Sequence, residues 1–270
     1  MIKSLPNLYS YIGSSEETLV EITRDISSLY AKRTQSKRKF GEEQINKYGD
    51  IQYRDLLVPH FKLKILQQRI NYLLQRISLP KAMFGSVKRK NNILNAAQHL
   101  NHKYFLTIDL KNFFPNINNH QVFKMFHAND FSHATARVLT QLTTLKGSLP
   151  QGTPSSPVIA NLVVVDLINE ISAYVAPFNI TFTSYLDDFS FSSNTCFKNL
   201  VPQILNIIKK HGFFPAHKKI HYCIGGCEIT GIIVSGSKLK VTPVMKRKAY
   251  SNVRLAAYVK RVEQFTSEIN

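Results

Sequence analysis

The sequence has few cysteines, few acidic residues and no long apolar run. Its three cysteines, Cys196, Cys223 and Cys227, are an odd and sparse set, which argues against a disulfide scaffold and indicates a reducing compartment. Zinc is only weakly suggested by Cys223 and Cys227 beside His221, because a fourth ligand is not evident. No apolar stretch reaches the ~18 residues of a membrane span, and the first residues lack a signal-peptide pattern. We therefore expect a cytosolic protein with no membrane partner.

Acidic residues are also scarce beside basic ones. The 270 residues contain 17 Asp and Glu against 35 Lys and Arg, which gives a formal net charge of +18 at pH 7 and an isoelectric point near 9.8. An excess of this size indicates a polyanionic partner, because phosphate groups attract clustered Lys and Arg. The basic residues do cluster, at 32–33, 37–39, 88–90 and 246–248. The composition therefore predicts a protein that binds nucleic acid.

The few acidic residues include an adjacent pair in a hydrophobic setting. Asp187 and Asp188 lie among aromatic and β-branched residues in the stretch 181–192, which is typical of strand, turn and strand. Asp109 lies near the end of a second apolar run, 104–110. Neighbouring carboxylates repel each other unless a cation screens them, and Mg²⁺ prefers such oxygen ligands. The alternative is three ordinary turn aspartates, but acids in very hydrophobic strands are costly without a partner, which favours a metal-dependent enzyme.

Periodicity and helix breakers predict the order of secondary structure. Helices are predicted over 16–31, 61–77, 92–99, 118–127, 131–144, 155–175, 198–211 and 243–265. Strands are predicted at 104–110, 219–224 and 228–234, with a hairpin over 181–193. The polar and basic stretch 34–52 is predicted to be a loop or a solvated hairpin. Because strands and helices do not alternate strictly, the predicted class is α+β.

Three motifs follow one another along the chain: Asp109 in its strand, the loop Leu149-Pro-Gln-Gly-Thr-Pro154, and Tyr185-Leu-Asp-Asp188. This order resembles the palm of a reverse transcriptase. Five further stretches resemble retron-type bacterial reverse transcriptases in particular. They are Ile108 to Ile117, Asn95-Ala-Ala-Gln-His99, Ile229-Thr-Gly231, Arg54 to Lys64, and Gly212-Phe213 with Lys219. The sequence departs from that family's pattern at Leu186, Pro215-Ala216 and Ser86, which leaves the class intact and the retron subtype open.

The resemblance implies an α+β right-hand polymerase. Its expected parts are fingers over 1–100, a palm with a mixed or antiparallel sheet over 101–235, and a short helical thumb over 236–270. The implied catalytic and metal-binding residues are Asp109, Asp187 and Asp188, with the Leu110 carbonyl as a further metal ligand. The implied cofactor is a pair of Mg²⁺ ions, for which Mn²⁺ can substitute.

Other residues are implied to contact the nucleotide or the nucleic acid. Phe114 would exclude a 2′-hydroxyl, Gln151 and Gly152 would lie against the base pair, and Arg54 and Lys219 would meet the triphosphate. The alternative for Phe114 is core packing, and the alternative for Gln151 and Gly152 is an ordinary loop. For Arg54 and Lys219 the alternative is solvated surface charge, and for His99 it is a local structural role. The expected nucleic-acid contacts are Lys88, Arg89, Lys90, His99, Lys246, Arg247, Lys248 and Arg254. The last helix is expected to pack one apolar face and to present its cations to RNA; that face carries Val244, Tyr250, Val253, Leu255, Tyr258 and Val262.

The function implied is RNA-directed DNA polymerisation. A retron enzyme copies part of a structured noncoding RNA into single-stranded DNA, priming from a guanosine 2′-hydroxyl to give a branched RNA–DNA product, and serves in antiphage defence. The implied partners are that RNA, the RNA–DNA hybrid, dNTPs and an effector protein, in the bacterial cytoplasm. The alternatives are another defence reverse transcriptase, such as an abortive-infection type that needs no template, and a catalytically inactive RNA-binding module. An RNA-dependent RNA polymerase is a further alternative, which Phe114 disfavours.

Overall fold

The computed structural model describes residues 1–39, 42–43 and 49–269. In chain order the elements are α1 Leu5–Ile12, α2 Glu16–Arg24, β1 Tyr30–Ser36, β2 Arg38–Lys39, β3 Glu42–Glu43, β4 Tyr53–Pro59, α3 Phe61–Leu74, α4 Asn92–Ala97, β5 Tyr104–Leu110, α5 Phe113–Asn116, α6 Asn119–Ala128, α7 His133–Thr143, α8 Ser156–Val163, α9 Val165–Val175, β6 Thr181–Tyr185, β7 Asp188–Ser193, α10 Val201–Lys210, β8 Pro215–Ile224, β9 Cys227–Ile229, β10 Ile232–Ser235, β11 Lys238–Val241, α11 Pro243–Ala249 and α12 Val253–Ile269. Short 3₁₀ turns occur at Ile26–Leu29, Ala176–Phe178 and Lys198–Leu200.

The chain divides into two compact units. Unit 1 comprises Met1–Leu79 and Asn112–Val165, and unit 2 comprises Pro80–Lys111 and Asp166–Asn270. In unit 1, β1 and β4 pair as an antiparallel ribbon, from Tyr30 opposite Pro59 to Ser36 opposite Tyr53. Helix α3 follows and buries an apolar stripe at helical spacing, which includes Leu63, Ile70 and Leu74. The predicted hairpin for 34–52 is therefore present at its base, whereas residues 40–41 and 44–48 lie outside the described part of the chain.

Unit 2 is built on a four-stranded sheet in the order β6-β7-β5-β8, in which every neighbouring pair is antiparallel. The predicted strand at 104–110 and the predicted hairpin at 181–193 are confirmed. Alternate aromatic residues fill one face: Phe182 stacks on Phe191 at 4.6 Å and meets Phe189 edge-on at 5.5 Å. A second antiparallel sheet has the order β11-β10-β9. The two residues between β9 and β10, Thr230 and Gly231, have φ of 46° and 85°, as a tight hairpin turn requires.

Several predicted helices end earlier or break. The helix predicted over 16–31 stops at Arg24, because Asp25 accepts a hydrogen bond from the Ser28 amide and starts a 3₁₀ turn that leads into β1. The helix predicted over 155–175 breaks at Val164, within three consecutive β-branched valines that disfavour helix. Among the described residues, no single helix has the length and apolar composition to cross a membrane. Helix α8 and the segment 165–178 have that length and composition only together, as a bent pair.

The C-terminal segment also differs from its prediction. Instead of one helix over 243–265 it forms α11 and α12, because Asn252 accepts a hydrogen bond from the Leu255 amide at 3.1 Å and thereby caps a new helix. The predicted apolar face is wrong at two positions, since Tyr250 and Val253 are each 87% exposed. Val262 is buried as predicted. The break divides the segment into two helices, α11 and α12, in place of one continuous helical surface.

Candidate active site

Strand register brings the three aspartates to one end of the four-stranded sheet in unit 2. Asp109 on β5 lies directly opposite Asp188 on β7. Tyr185 pairs with Asp188 across the hairpin, so that Leu186 and Asp187 form its two-residue turn. The Leu110 amide donates to the Asp187 carbonyl at 2.9 Å and ties this turn to β5. Residues that are far apart in the chain are therefore held together by backbone hydrogen bonds.

The turn of the hairpin is clamped by a segment that the sequence did not single out for this role. Leu186 has φ of 58°, a conformation that costs a branched residue energy and persists only when the surroundings hold it. The Phe84 amide donates to the Ser184 carbonyl at 2.8 Å, and the Ser184 amide donates back to the Ala82 carbonyl at 2.8 Å. A Cβ on Gly85 would lie 2.6 Å from the Leu186 amide nitrogen. Only glycine allows this approach, and its signal in the sequence was Gly85 itself.

The electrostatics of the aspartate end are those of an acidic site that a cation would stabilise. Burial is the largest cause of the raised pKa of Asp187, the charge of Asp109 raises it further, and Lys219 opposes both. Lys219 on β8 donates from Nζ to Oδ2 of Asp109 at 2.6 Å. The lysine side chain is 61% exposed and the aspartate side chain 20% exposed. The ammonium therefore supplies positive charge to the site from its solvent side.

The residues present suit a divalent cation chemically. Two carboxylates that face each other across β5 and β7, and a third with a raised pKa in the adjacent turn, provide the oxygen ligands and negative charge that hard cations need. Within the described residues, no three Asp, Glu, His or Cys side chains already converge as a complete metal site. The Lys219 ammonium contacts Oδ2 of Asp109. One of the oxygens that could bind a cation is therefore engaged in an ion pair.

The structure contradicts the prediction that His99 contacts nucleic acid. Its side chain is fully buried. His99 Nδ1 lies 2.6 Å from Ser192 Oγ on β7, and its Nε2 lies 2.8 Å from Thr183 Oγ1 on β6. Burial and the neighbouring His102 lower the pKa of His99 to about 3, so the ring is neutral. It braces both strands of the aspartate hairpin from inside.

The two retron-like signatures meet in this region. Asn95, the first residue of Asn-Ala-Ala-Gln-His, donates from Nδ2 to Thr230 Oγ1 of the Ile-Thr-Gly turn at 3.3 Å. Asn92, at the start of the same helix, donates to the Thr230 carbonyl at 3.3 Å and to the Tyr258 hydroxyl of α12 at 2.7 Å. Helix α4 thus connects the aspartate hairpin, the second sheet and α12. The separate motifs did not reveal these connections.

The predicted nucleic-acid contacts at 88–90 divide into two kinds. Lys88 and Arg89 are exposed. Lys90 is instead turned inward: its Nζ donates to the carbonyls of Lys81 and Met83 at 2.6 and 2.7 Å and lies 4.3 Å from the centre of the Phe84 ring. Burial lowers the pKa of this lysine. Lys90 supports the segment that clamps the hairpin, and its contact with phosphate stays a prediction.

The predicted C-terminal contacts lie on α11 and α12. Arg247 and Arg254 are exposed, and Lys248 is half-buried. Lys246 donates to Glu263 Oε1 at 3.1 Å and so joins the two helices by an ion pair. The exposed arginines leave the prediction of a basic surface on this segment standing.

The residues predicted to contact the nucleotide lie in unit 1, apart from Lys219. Arg54 on β4 is exposed and donates to Gln35 Oε1 at 3.2 Å. The Gln151 carbonyl accepts from the Leu57 amide at 2.8 Å, which holds the Pro-Gln-Gly loop against β4. Gly152 has φ of 107°, and a Cβ there would lie 3.3 Å from the Leu57 carbonyl. The structure thus brings Gln151 and Gly152 to the strand that carries Arg54.

Phe114 also belongs to unit 1, in the short helix α5. Its ring is half-buried and meets Phe113 edge-on, with ring centres 5.5 Å apart. Phe113 is the buried member of this pair. Because Phe114 keeps an accessible side, the prediction that it excludes a 2′-hydroxyl stays a prediction.

A comparison with protein families identifies the family of this chain. Residues 45–244 match the family described as reverse transcriptase (RNA-dependent DNA polymerase). The chain belongs to the reverse transcriptase family. This reverse transcriptase is 30% identical over 208 residues to the retron Ec86 reverse transcriptase of Escherichia coli, covering 74% of this chain and 63% of that protein. It is 27% identical to the retron Se72 reverse transcriptase of Salmonella heidelberg, covering 72% of this chain and 49% of the relative. The resemblance to retron-type enzymes is confirmed.

Solved structures agree on the fold. The apo telomerase of Candida tropicalis, truncated from its C-terminal domain, matches with a TM-score of 0.50 at 14% identity, covering 83% of this chain and 59% of that one. At this identity the likeness shows the fold alone, and it confirms the predicted α+β right-hand polymerase fold. Membership of the reverse transcriptase family implies dependence on a divalent metal, which suits the aspartate end of the sheet. The reverse transcriptase spans between about half and two thirds of the length of these two retron relatives.

Proposed function

We propose that this chain is an RNA-directed DNA polymerase that copies part of a structured noncoding RNA into single-stranded DNA. The observation that supports this most is the register that sets Asp109 opposite Asp188, with Asp187 in the adjoining turn. The raised pKa of Asp187 adds to it, because a half-buried carboxylate beside a second one is costly unless it serves a cation. The proposed parts are fingers over 1–100, a palm over 101–235 and a thumb over 236–270.

Each residue has a proposed task. Asp109 and Asp187 would hold two Mg²⁺ ions, Asp188 would complete the negative field, and the Leu110 carbonyl would be an additional ligand. When bound, such ions stabilise the attacking and leaving oxygens of an in-line displacement, and Mn²⁺ would substitute for them. Lys219 would exchange its contact with Asp109 for the triphosphate, where an ammonium neutralises developing charge.

In unit 1, Arg54 is proposed to be a second cation for the triphosphate. Gln151 and Gly152, held against β4 by the Leu57 amide, would present a close backbone surface to the base pair. Phe114 would lie under the sugar and reject a 2′-hydroxyl. The surface cations Lys88, Arg89, Arg247, Lys248 and Arg254 would contact phosphate.

A retron role is the finer part of the proposal. The similarity to several retron reverse transcriptases, and the contact between Asn95 and Thr230, support it. We propose priming from a guanosine 2′-hydroxyl, a branched RNA–DNA product, an effector protein as partner, and a role in antiphage defence. Cys196, Cys223 and Cys227 are all free thiols, which supports a reducing, cytoplasmic setting.

Primer extension tests the activity. The purified protein is given an RNA template with an annealed DNA primer, Mg²⁺ and either dNTPs or NTPs, beside an Asp187→Asn control. We expect DNA extension that needs both template and dNTPs and is absent from the control. Extension without a template, or with NTPs alone, would identify one of the alternative polymerases. No extension, together with tight RNA binding, would identify an RNA-binding module.

The retron role needs a separate experiment. RNA and DNA that copurify with the protein from its host are sequenced, and the DNA is tested for a 2′–5′ branch with a debranching enzyme. We expect one structured RNA joined to single-stranded DNA. A linear DNA with a free 5′ end would remove the proposed priming from a 2′-hydroxyl and leave the polymerase activity unaffected.

A further inference from the structure

A cleft of about 480 Å³ lies in unit 2 where α11 and α12 face each other. Small and apolar side chains, Ala249, Ala256 and Val259, line it, and Val259 is buried. Lys246, Tyr250, Lys260 and Glu263 contribute the polar lining. Its volume is within the range of ligand sites, roughly 300–1,000 Å³. Among these lining residues, only Lys246 was predicted from the sequence to contact nucleic acid, and no predicted catalytic residue is present.

Tyr250 is one of the two most exposed large side chains of this region, at 87%, as is Val253. It is the C-terminal cap of α11, at the break between the two helices, and its side chain lines the cleft. A tyrosine presents a flat face that stacks on a nucleobase, and every base has such a face. The alanines beside it leave room for a planar group.

The charges at the cleft favour a nucleic acid over a protein side chain. The carboxylate of Glu263 is paired with Lys246 at 3.1 Å, while Lys260 on α12 is exposed. Arg247, Arg254 and Arg261 are exposed on the same two helices. Protein interfaces are depleted in lysine, whereas an aromatic ring among cations is typical of sites for single strands.

We propose that this cleft binds one unpaired nucleotide of RNA, with its base stacked on Tyr250 and its phosphate on Lys260. Glu263 favours RNA over DNA, because a carboxylate accepts a hydrogen bond from a 2′-hydroxyl and finds no such donor on deoxyribose. The inference rests on the proposed function only in taking RNA as the partner. It gives the C-terminal helices a site for unpaired bases in addition to a charged surface.

Binding measurements without dNTPs or divalent cations test the cleft. The probes are a fluorescent single-stranded oligouridine RNA of about 12 nucleotides, the oligodeoxyuridine of the same length, and a blunt RNA duplex. We expect Tyr250→Ala to weaken binding of the single-stranded RNA roughly 5- to 150-fold, since stacking is worth about 1–3 kcal/mol per base. Tyr250→Trp should retain the affinity, and both Tyr250 variants should bind the duplex as tightly as the wild type does. Wild-type protein should bind the RNA more tightly than the DNA.

The salt dependence separates stacking from charge. Tyr250→Ala should leave the slope of log K against log[salt] unchanged, whereas Lys260→Gln should reduce it by about 0.7. Val253→Ala is the matched control, because Val253 is equally exposed three residues away and does not line the cleft. Unchanged single-strand affinity in Tyr250→Ala, or equal losses on strand and duplex, would overturn the proposal. Equal binding of RNA and DNA would overturn the assignment to RNA. Because no polymerisation is measured, failed primer extension would leave this result intact.

Discussion

Lys219 Nζ donates to Asp109 Oδ2 across 2.6 Å, and so joins β8 to the strand that carries the first aspartate. Two residues that lie far apart in the chain therefore share one charge pair at the acidic end of the sheet. The ammonium lies on an oxygen that a divalent cation would also use. We therefore propose that Lys219 competes with a metal ion for Asp109 in the absence of substrate and neutralises charge on the substrate in its presence.

Replacing Lys219 should separate these two effects. In Lys219→Met we expect binding of Mn²⁺ to the free protein to tighten by up to about fivefold, since an exposed ion pair is worth at most about 1 kcal/mol. Polymerisation should fall, because the triphosphate loses a cation. Mn²⁺ binding is measured by electron paramagnetic resonance and polymerisation by primer extension. Lys219→Arg is the control that keeps the charge, and weaker Mn²⁺ binding in the methionine variant would contradict the competition.

Removal of either central carboxylate should abolish polymerisation and spare the fold. Asp109→Asn and Asp187→Asn should each reduce primer extension by at least about 10²–10³-fold, because charge stabilisation of the transition state is removed. Asp187 is half-buried and its pKa is raised, chiefly by burial, so its neutral replacement should not lower the unfolding midpoint. Near-normal extension by either variant would refute the metal assignment, and a lower midpoint in Asp187→Asn would show that its charge stabilises the fold.

Phe114 should control the choice of sugar. Phe114→Val removes the Phe114 ring and leaves its neighbour Phe113 in place. The space that this opens should admit ribonucleotides. The measurement is the ratio of kcat/KM for dNTP and NTP, which should fall by about tenfold or more, as one steric contact worth ~1–3 kcal/mol predicts. Phe113→Leu, at the buried ring next to it, serves as the control for general loosening. An unchanged ratio in Phe114→Val would return Phe114 to core packing.

His99 should make stability depend on pH. Its folded pKa of about 3 lies below the ordinary histidine pKa of ~6.5, so between these values the unfolded chain binds the additional proton. The stabilisation is fully present above pH ~6.5 and is lost as the pH falls toward 3, with a slope of up to about 1.4 kcal/mol per pH unit. Urea unfolding at a series of pH values measures this slope.

The matched variant for this measurement is His99→Gln, which keeps hydrogen-bonding groups but does not titrate. Its slope should be smaller than that of the wild type over the same range. A residual slope is expected from His102, whose pKa is also lowered by burial and which lies 2.7 Å from Ser192 Oγ. Identical slopes in the two proteins would show that the ring of His99 is not held neutral by its surroundings.

The exposed arginines of the last two helices should account for part of RNA binding. Neutralising Arg247, Arg254 and Arg261 together should reduce the slope of log K against log[salt] by about two to three units, at ~0.7–0.9 for each phosphate that the protein no longer neutralises. All RNAs should be weakened about evenly, because bonds to phosphate carry no sequence information. The triple Arg→Lys variant controls for shape and should retain the slope. Superimposable slopes for the neutral variant and wild type would leave Lys88 and Arg89 as the main candidates.

The sequence by itself determined the elements whose signals are local. The apolar run over 104–110 predicted the strand, and the aromatic and β-branched residues over 181–193 predicted the hairpin, because such residues favour strands. The order of Asp109, the Pro-Gln-Gly loop and the Tyr-Leu-Asp-Asp hairpin predicted the family. Helix ends were predicted less well, since the caps at Asp25 and Asn252 compete with helical periodicity that continues past them.

Tertiary structure alone decided what each polar residue does. His99 and Lys90 have the sequence context of surface residues, yet one is buried between β6 and β7 and the other donates to backbone carbonyls. The close approach of Gly85 to the hairpin turn and the ion pair of Lys219 with Asp109 join residues distant in sequence. Periodicity indicates only whether a face is buried, whereas hydrogen-bond partners depend on which strands become neighbours. Strand order and register, set by long-range pairing, therefore fixed the chemistry of the site.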